Sequence, residues 1–275
     1  MEVSGRTAIV TGGAGGIGAA IARQVARAGG SVLITDIDGT ALDETVAQLS
    51  ADGRGRVIGQ QADVADPGQI RATIDHAEAE LGPVSIYFAN AGITGPLGLG
   101  EADADWDQVI DINLRAHVRA ANVLIPRWLD RGEGYFVSTA SAAGLLSQIG
   151  AAGYSVTKHG AVAFAEWLSI TYGDAGVRVS CLCPMGVATK MLLGDGPPND
   201  PLAVAGAAAV TSAGDVLQPD DVAADVMAAI ADERFLILPH EDVLRMFRFK
   251  GSDYERWLRG MRRYQARLLP VDPLS

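Results

Sequence analysis

Short apolar runs alternate with longer amphipathic stretches along most of the chain. The runs fall at residues 6–10 (R-T-A-I-V), 31–35 (S-V-L-I-T), 57–62, 84–88 (V-S-I-Y-F), 134–138 (G-Y-F-V-S), 177–183 (V-R-V-S-C-L-C) and 235–238 (F-L-I-L). Runs of this length predict strands covered on both faces. The stretches between them predict helices: from a glycine turn to about residue 28, then 39–50, from Asp66-Pro67 onward, 106–126, a segment ending at Tyr172, and 219–230. Proline just inside a helix start, as at Pro67, fits the first helical position, where a missing N–H costs nothing. The alternation predicts an α/β fold: a doubly wound parallel seven-stranded sheet with helices on both faces.

Two segments break the alternation. Residues 192–215 are rich in Gly, Pro and Ala, include G-D-G-P-P-N-D-P, and predict a mobile substrate lid, with a plain spacer as the alternative. Residues 240–275 form a basic, aromatic extension. There Ser252-x-x-Glu255 predicts a capping box, and Trp257, Met261, Tyr264 and Leu268 recur at helical spacing. Such a stripe packs against the lid or a neighbouring subunit. His240, at the head of the extension, is a candidate to reach a substrate.

Composition narrows the partners. With 275 residues the chain fits a single domain, 1–275, and at 48% hydrophobic it buries a large core. A net charge of −11 argues against nucleic acid or an anionic membrane. Cys181 and Cys183 share one strand face, which predicts buried thiols rather than a disulfide or metal site. The four histidines lack metal-ligand spacing, so no metal is expected. A signal peptide or spanning segment is not evident, and a cytoplasmic location is expected.

Candidate chemistry concentrates at residues 138–158. Tyr154 and Lys158 lie one turn apart on a helix, with Ser141 upstream across a loop. A phenol of pKa about 10 is a poor base near neutrality, and a nearby ammonium favours its phenolate. Ser141 could hold a carbonyl or alcohol oxygen beside it. At the N-terminus, Gly12-x-x-x-Gly16-x-Gly18 lies between an apolar strand and an amphipathic helix, where side-chain-free backbone and free N–H groups suit a pyrophosphate. Asp36 ends the second strand, where a carboxylate accepts from ribose hydroxyls and repels a 2′-phosphate. No Arg or Lys occurs in the glycine turn or directly after Asp36, so NAD is expected over NADP. Alternatively, Asp36 caps the helix at 39–50.

T-G-G-A-G-G-I-G, N-A-G around Ala91, D-I-N-L around Asn113, Ser141 and Tyr-x-x-x-Lys occur in order, and with them the chain resembles the short-chain dehydrogenase/reductase family, in its single-domain subtype. The resemblance spans residues 3–239 and implies a Rossmann-type fold. It implies catalysis by Asn113, Ser141, Tyr154 and Lys158, with Asn113 holding a helix kink and a water. It implies cofactor contacts from Gly12, Gly16, Ile17, Gly18, Asp36, Ile37, Asp63, Val64, Asn90, Ala91, Gly92, Tyr154, Lys158, Pro184, Gly186, Val187 and Thr189; Asp63 reads equally as a turn residue. Substrate contacts are expected from Ser141, Leu146, Ile149, Tyr154, Met185 and Met191, with Ile93, Pro96, Leu97 and Leu145 completing an apolar pocket. Met185 stands where the family usually has glycine; Ala89 and Ser85 replace an Asn and an Asp near the fourth strand.

The expected activity is NAD-dependent interconversion of an apolar secondary alcohol and its ketone, by a homodimer or homotetramer. Reduction of a 3-oxoacyl thioester or a steroid on the same scaffold is an alternative. A non-catalytic NAD-binding regulator is another, although its expected signature is a broken Asn–Ser–Tyr–Lys set.

Overall fold

The computed structural model describes residues 1–52, 54–194 and 200–269. In chain order the elements are β1 (Thr7–Thr11), α1 (Gly16–Arg27), β2 (Ser31–Asp36), α2 (Gly39–Asp52), β3 (Val57–Gln61), α3 (Pro67–Leu81), β4 (Val84–Ala89), α4 (Asp103–Ile110), α5 (Ala116–Arg131), β5 (Gly134–Thr139), α6 (Ala152–Tyr172), β6 (Val177–Leu182), α7 (Lys190–Leu193), α8 (Pro201–Thr211), α9 (Pro219–Ala231), β7 (Leu236–Ile237), α10 (Asp242–Ser252) and α11 (Tyr254–Leu268). The seven strands form one parallel sheet in the order β3-β2-β1-β4-β5-β6-β7.

Alternating side chains on each strand feed two cores. Ile9, Leu33, Tyr87 and Phe136 pack with Ile74, Leu124, Trp128 and Leu168 on one face. Val10, Val32, Ile34 and Val137 pack with Ile21, Val25, Val226 and Ile230 on the other. Both faces are therefore dry, which is why β1 and β5 are buried at every residue. This is the Rossmann-type, doubly wound arrangement that the strand–helix alternation predicts.

The chain leaves β1 in opposite directions, to β2 and β3 on one side and to β4 through β7 on the other. That reversal opens a crevice at the C-terminal ends of β1 and β4. Thr11 stitches its floor: its hydroxyl accepts the N–H groups of Asn90 (2.9 Å) and Ala91 (3.0 Å) and donates to the Phe88 carbonyl.

Three expectations need correction. The helix expected over 106–126 starts earlier, at Asp103, and ends later, at Arg131, with a π-helical turn at Asp111–Arg115 in its middle. Pro126 does not end it, because Leu124 and Trp128 are fully buried around it and Gly132, at φ +70°, provides the stop. Within the expected lid, residues 201–211 are helical: Asp200 accepts from the N–H groups of Leu202 and Ala203, Pro201 takes the first turn, and a run of alanines carries the helix. Residues 195–199 of that segment lie outside the described residues, as do 270–275 of the extension. The capping box at Ser252 is displaced by one residue. Ser252 closes α10 by donating to the Phe249 carbonyl, and Asp253 caps α11 by accepting from Arg256 N–H at 2.9 Å.

The stripe on α11 packs against the lid segment, as one of its two expected partners. Tyr264 shares a 2.7 Å hydrogen bond with the Ser212 hydroxyl and donates to the Ala209 carbonyl. Among the described residues, no helix is long and apolar enough to cross a membrane, and no cluster of three or more His, Cys, Asp or Glu could hold a metal. Cys181 and Cys183 are buried free thiols, as expected.

Candidate active site

The glycine turn sits over the crevice because nothing larger fits. Gly12 has φ +63°, and a Cβ there would come within 2.9 Å of Ala91 Cα; Gly16 has φ +53° and faces Thr189. A Cβ on Gly18 would meet Asn90 Nδ2 at 2.7 Å. α1 begins with no side-chain cap and no acidic residue in its first turn, which leaves its leading N–H groups without a side-chain acceptor among the described residues. Such a cradle fits a dinucleotide pyrophosphate.

Asp36, at the end of β2, accepts from Ala14 N–H (3.1 Å) and Asp38 N–H (3.2 Å), so it braces the glycine turn. It is not the cap of α2; Asp38 accepts from Ala41 N–H there. Ile37 beside it is exposed. Asp63 forms a turn onto Ala65 N–H at 2.8 Å, the second of its two readings, and Val64 packs on the core. Asn90 crosses the crevice floor, donating to the carbonyls of Thr11 and Gly12 and accepting from Thr139.

Asn113 lies on the π turn, fully buried, with its side chain folded onto residue 93. Its Oδ1 accepts Ile93 N–H and its Nδ2 donates to the Ile93 carbonyl, both at 2.8 Å, and to Thr157 Oγ1 at 3.2 Å. A poor helix former is thus held mid-helix by a two-way pairing with a neighbouring backbone. Lys158 is buried on α6 and donates to the Thr139 carbonyl at 2.9 Å. A Cβ on Gly92 would lie 3.2 Å from Asn113 Oδ1 and 3.4 Å from Lys158 Nζ, so Gly92 lets these side chains meet beside the end of β4.

Ser141 caps the short 3₁₀ turn Ala142–Gly144, accepting Ala143 N–H at 3.1 Å. Its hydroxyl donates weakly to the Pro184 carbonyl at 3.5 Å and lies near enough to the Tyr154 phenol to favour the phenolate, and Lys158 Nζ stands 5.6 Å from the centre of the Tyr154 ring. The four residues therefore converge. The electrostatics differ from expectation, however. Burial pushes the Tyr154 phenol above its ordinary value, with Ser141 pulling the other way. Burial also lowers Lys158 to about 8. Burial is thus the largest influence on both groups, and it holds the phenol above its ordinary value rather than below it.

The loop after β6 closes the crevice. The Pro184 carbonyl accepts Ala142 N–H, the Gly186 carbonyl accepts Leu217 N–H, Val187 bridges to Leu217, and Thr189 lies against Gly16. His240 is not open to a substrate. It is buried, its Nδ1 accepts Met185 N–H (3.2 Å), and its Nε2 faces the carbonyls of Gly186 and Asp215 (3.1 Å each), which identifies the neutral Nε2–H form. Among the expected substrate residues, Met191 is exposed, Met185 is half-buried, and Leu145, Leu146 and Ile149 are buried, the first two within the core. α8 lies directly over residues 148–150: Gln148 donates to the Gly206 carbonyl at 3.2 Å, and a Cβ on Gly150 would meet the Leu202 carbonyl at 2.7 Å. A separate cleft of about 610 Å³, lined by Ser4, Arg6, Leu81, Arg131 and Glu133, lies at the opposite end of the sheet. It gathers none of the expected residues.

Residues 6–197 match the family model described as short chain dehydrogenase. The chain belongs to the short-chain dehydrogenase family. It is 36% identical over 260 residues to 1-deoxy-11-beta-hydroxypentalenate dehydrogenase of Streptomyces exfoliatus, covering 93% of this chain and 90% of that protein. Over 193 residues it is 31% identical to cyclohexanol dehydrogenase of an Acinetobacter species, covering 70% of this chain and 76% of the other. A short-chain dehydrogenase/reductase from Burkholderia phymatum, solved in complex with NAD, superposes with a TM-score of 0.83 at 32% identity, over 100% of this chain and 99% of that one. These relatives support alcohol oxidoreduction as the activity of this short-chain dehydrogenase.

Three contributors to the site escape motif reading. Thr11 and Thr139 act through a hydroxyl and a carbonyl at strand ends, which no residue pattern marks. Lys250 of the extension reaches the turn after Ser141. A compositional signal existed for it: the chain has three lysines, Lys158, Lys190 and Lys250, against many arginines. A lone lysine among arginines marks a place that needs a compact ammonium.

Proposed function

We propose that this short-chain dehydrogenase oxidises a secondary alcohol on an apolar, alicyclic body to its ketone, reversibly and with NAD. The observation that carries the reading is the convergence of Asn113, Ser141, Tyr154 and Lys158 beside a glycine turn in which Gly12 and Gly18 leave no room for a Cβ. NAD is favoured by the Asp36 carboxylate, by the lack of basic residues around the glycine turn, and by the NAD complex of the Burkholderia relative. The alicyclic body is favoured by the hydroxypentalenate and cyclohexanol relatives and by the apolar character of the expected substrate residues Leu146, Ile149, Met185 and Met191.

Gly12, Gly16, Gly18 and the start of α1 would hold the pyrophosphate, Asp36 and Ile37 the adenosine end, and Asn90, Gly92, Lys158, Val187 and Thr189 the nicotinamide end. The bound group supplies a two-electron acceptor for the hydride of the alcohol carbon. Ser141 orients the substrate oxygen. Tyr154 holds or releases the proton at that oxygen, as phenolate for oxidation and as phenol for reduction. Asn113 fixes the backbone of residue 93 at the crevice wall, and α7 and α8 exclude water from above. Two copies would pair through α5 and α6, where Trp167 and the 84% exposed Ile170 leave apolar surface uncovered.

The test is NADH formation across a panel of cyclic and open-chain secondary alcohols, with NADP⁺ in parallel. Turnover strongest on cyclic alcohols and with NAD⁺ is expected. The variant Tyr154→Phe should lose at least about a thousandfold in kcat while still binding NAD⁺. A variant that keeps most of its turnover would overturn the assignment of the proton to Tyr154.

A further inference from the structure

Lys250 is a buried ammonium with no carboxylate beside it in its hydrogen-bond set. Its Nζ lies 2.7 Å from the Leu145 carbonyl, 2.8 Å from the Leu146 carbonyl and 3.3 Å from His159 Nε2. An ammonium has three N–H bonds, and here each has one acceptor. His159 fits the role of third acceptor, because its Nδ1 donates to the Ser155 carbonyl at 2.9 Å and leaves the Nε2 lone pair free. The Tyr254 ring lies 5.6 Å from the same Nζ.

These acceptors belong to the two elements whose alignment matters most. Leu145 and Leu146 end the turn that Ser141 caps, and their N–H groups both return to the Ala142 carbonyl. His159 follows Lys158 on α6 and lies on the same helix as Tyr154. Ser141 and Tyr154 are thirteen positions apart on separate elements, and Lys250 bridges those elements from a third. Meanwhile Tyr264 of the same extension holds α8, which lies on residues 148–150. The extension thus holds the 145–146 turn, α6 and α8 together.

We infer that Lys250 is a positioning residue: its ammonium clamps the 145–146 turn to α6 and so holds the Ser141 hydroxyl in register with Tyr154. Arginine cannot substitute, because its planar fork does not present three donors from one point. Without the ammonium, the Leu145 and Leu146 carbonyls lose their side-chain partner in a dry site, and the turn shifts to find water. A misplacement near 1 Å in a reacting group costs on the order of 100-fold in rate. The kinetic part of the inference rests on the proposed function; the structural part does not.

The experiment removes the side chain and returns it as a solute. Lys250→Ala lacks the equivalent of n-propylammonium, so that cation is the probe, with tetramethylammonium, which has no N–H, as control. Amide hydrogen exchange over residues 141–149 and alcohol turnover are followed together. Faster exchange, a kcat lower on the order of 100-fold with NAD⁺ affinity unchanged, and saturable restoration of both by n-propylammonium alone are expected. Unchanged exchange in a folded Lys250→Ala overturns the clamp whatever the turnover, and faster exchange with unchanged kcat overturns the positioning role. If the parent chain oxidises no alcohol while exchange responds as expected, the proposed function fails and the clamp stands. Should Lys250→Ala not fold, Lys250→Arg is measured instead: faster exchange with lower kcat supports the need for a compact ammonium, and parent-like exchange and turnover overturn it.

Discussion

His117 is a buried base whose protonation the fold opposes, and it makes the protein's stability depend on pH in a definite direction. Burial, with the Lys158 charge adding to it, pulls His117 down to about 3 from an ordinary value near 6.5. Its Nδ1 pairs with Ser138 at 3.1 Å, while its Nε2 has no hydrogen-bond partner among the described residues. Between those two pH values the unfolded chain binds a proton that the folded chain refuses, so this contribution to stability is complete above about 6.5 and is lost as pH falls towards 3. The variant His117→Asn should therefore flatten the loss of stability on acidification. Urea midpoints at pH 4.5 and 7.5 should differ less than in the parent, by up to about 3 kcal/mol in unfolding free energy. Tyr154, raised by burial, holds its proton near neutrality, which suits donation to a ketone. Alcohol oxidation needs the phenolate, so kcat/KM for oxidation should rise with pH and that for ketone reduction should not; parallel pH profiles in the two directions check this. At Asp36, Asp36→Ser should raise the ratio of NADP⁺ to NAD⁺ efficiency by at least about tenfold, since a carboxylate facing a 2′-phosphate costs several kcal/mol.

At the scale of elements, the strands and the Tyr154 helix were legible because burial imposes a period and the catalytic types recur at fixed spacing. The π turn at Asp111–Arg115 was legible only in part: Asn113 marks an oddity, but its partner is the backbone of residue 93, which no local pattern names. The lid misled because Gly, Pro and Ala together resemble a loop, although alanine is the strongest helix former and Asp200-Pro201 is a helix start. His240 and Lys250 were misjudged or missed for a shared reason. Each acts on backbone groups far away in sequence, and backbone acceptors leave no mark on residue identity. Removal of the lid cap by Asp200→Ala should loosen α8 by about 1 kcal/mol and raise KM for the alcohol more than it lowers kcat. Steady-state kinetics with saturating NAD⁺ separates the two.

At the scale of the whole molecule, the uncovered apolar stripe on α6 is the surface proposed for contact between two copies. Ile170→Arg places a charge in the proposed contact, and light scattering should show the assembly shift towards monomer, with each monomer still folded. The strand order carries a further consequence. β1 pairs with its successor β2 on one side, but on the other it pairs with β4, and the Thr11–Phe88 hydrogen bond that seals the crevice joins residues 77 apart in sequence. Such distant pairings close late, because the entropy of the intervening loop must be surrendered before the contact repays it. The segments β1–β3 and β4–β7 can each gather locally, yet neither alone contains a crevice. During refolding, competence to bind a dinucleotide should therefore emerge in the slowest phase, after most helical signal has returned, and ligand present at that stage should trap the closed sheet against reopening.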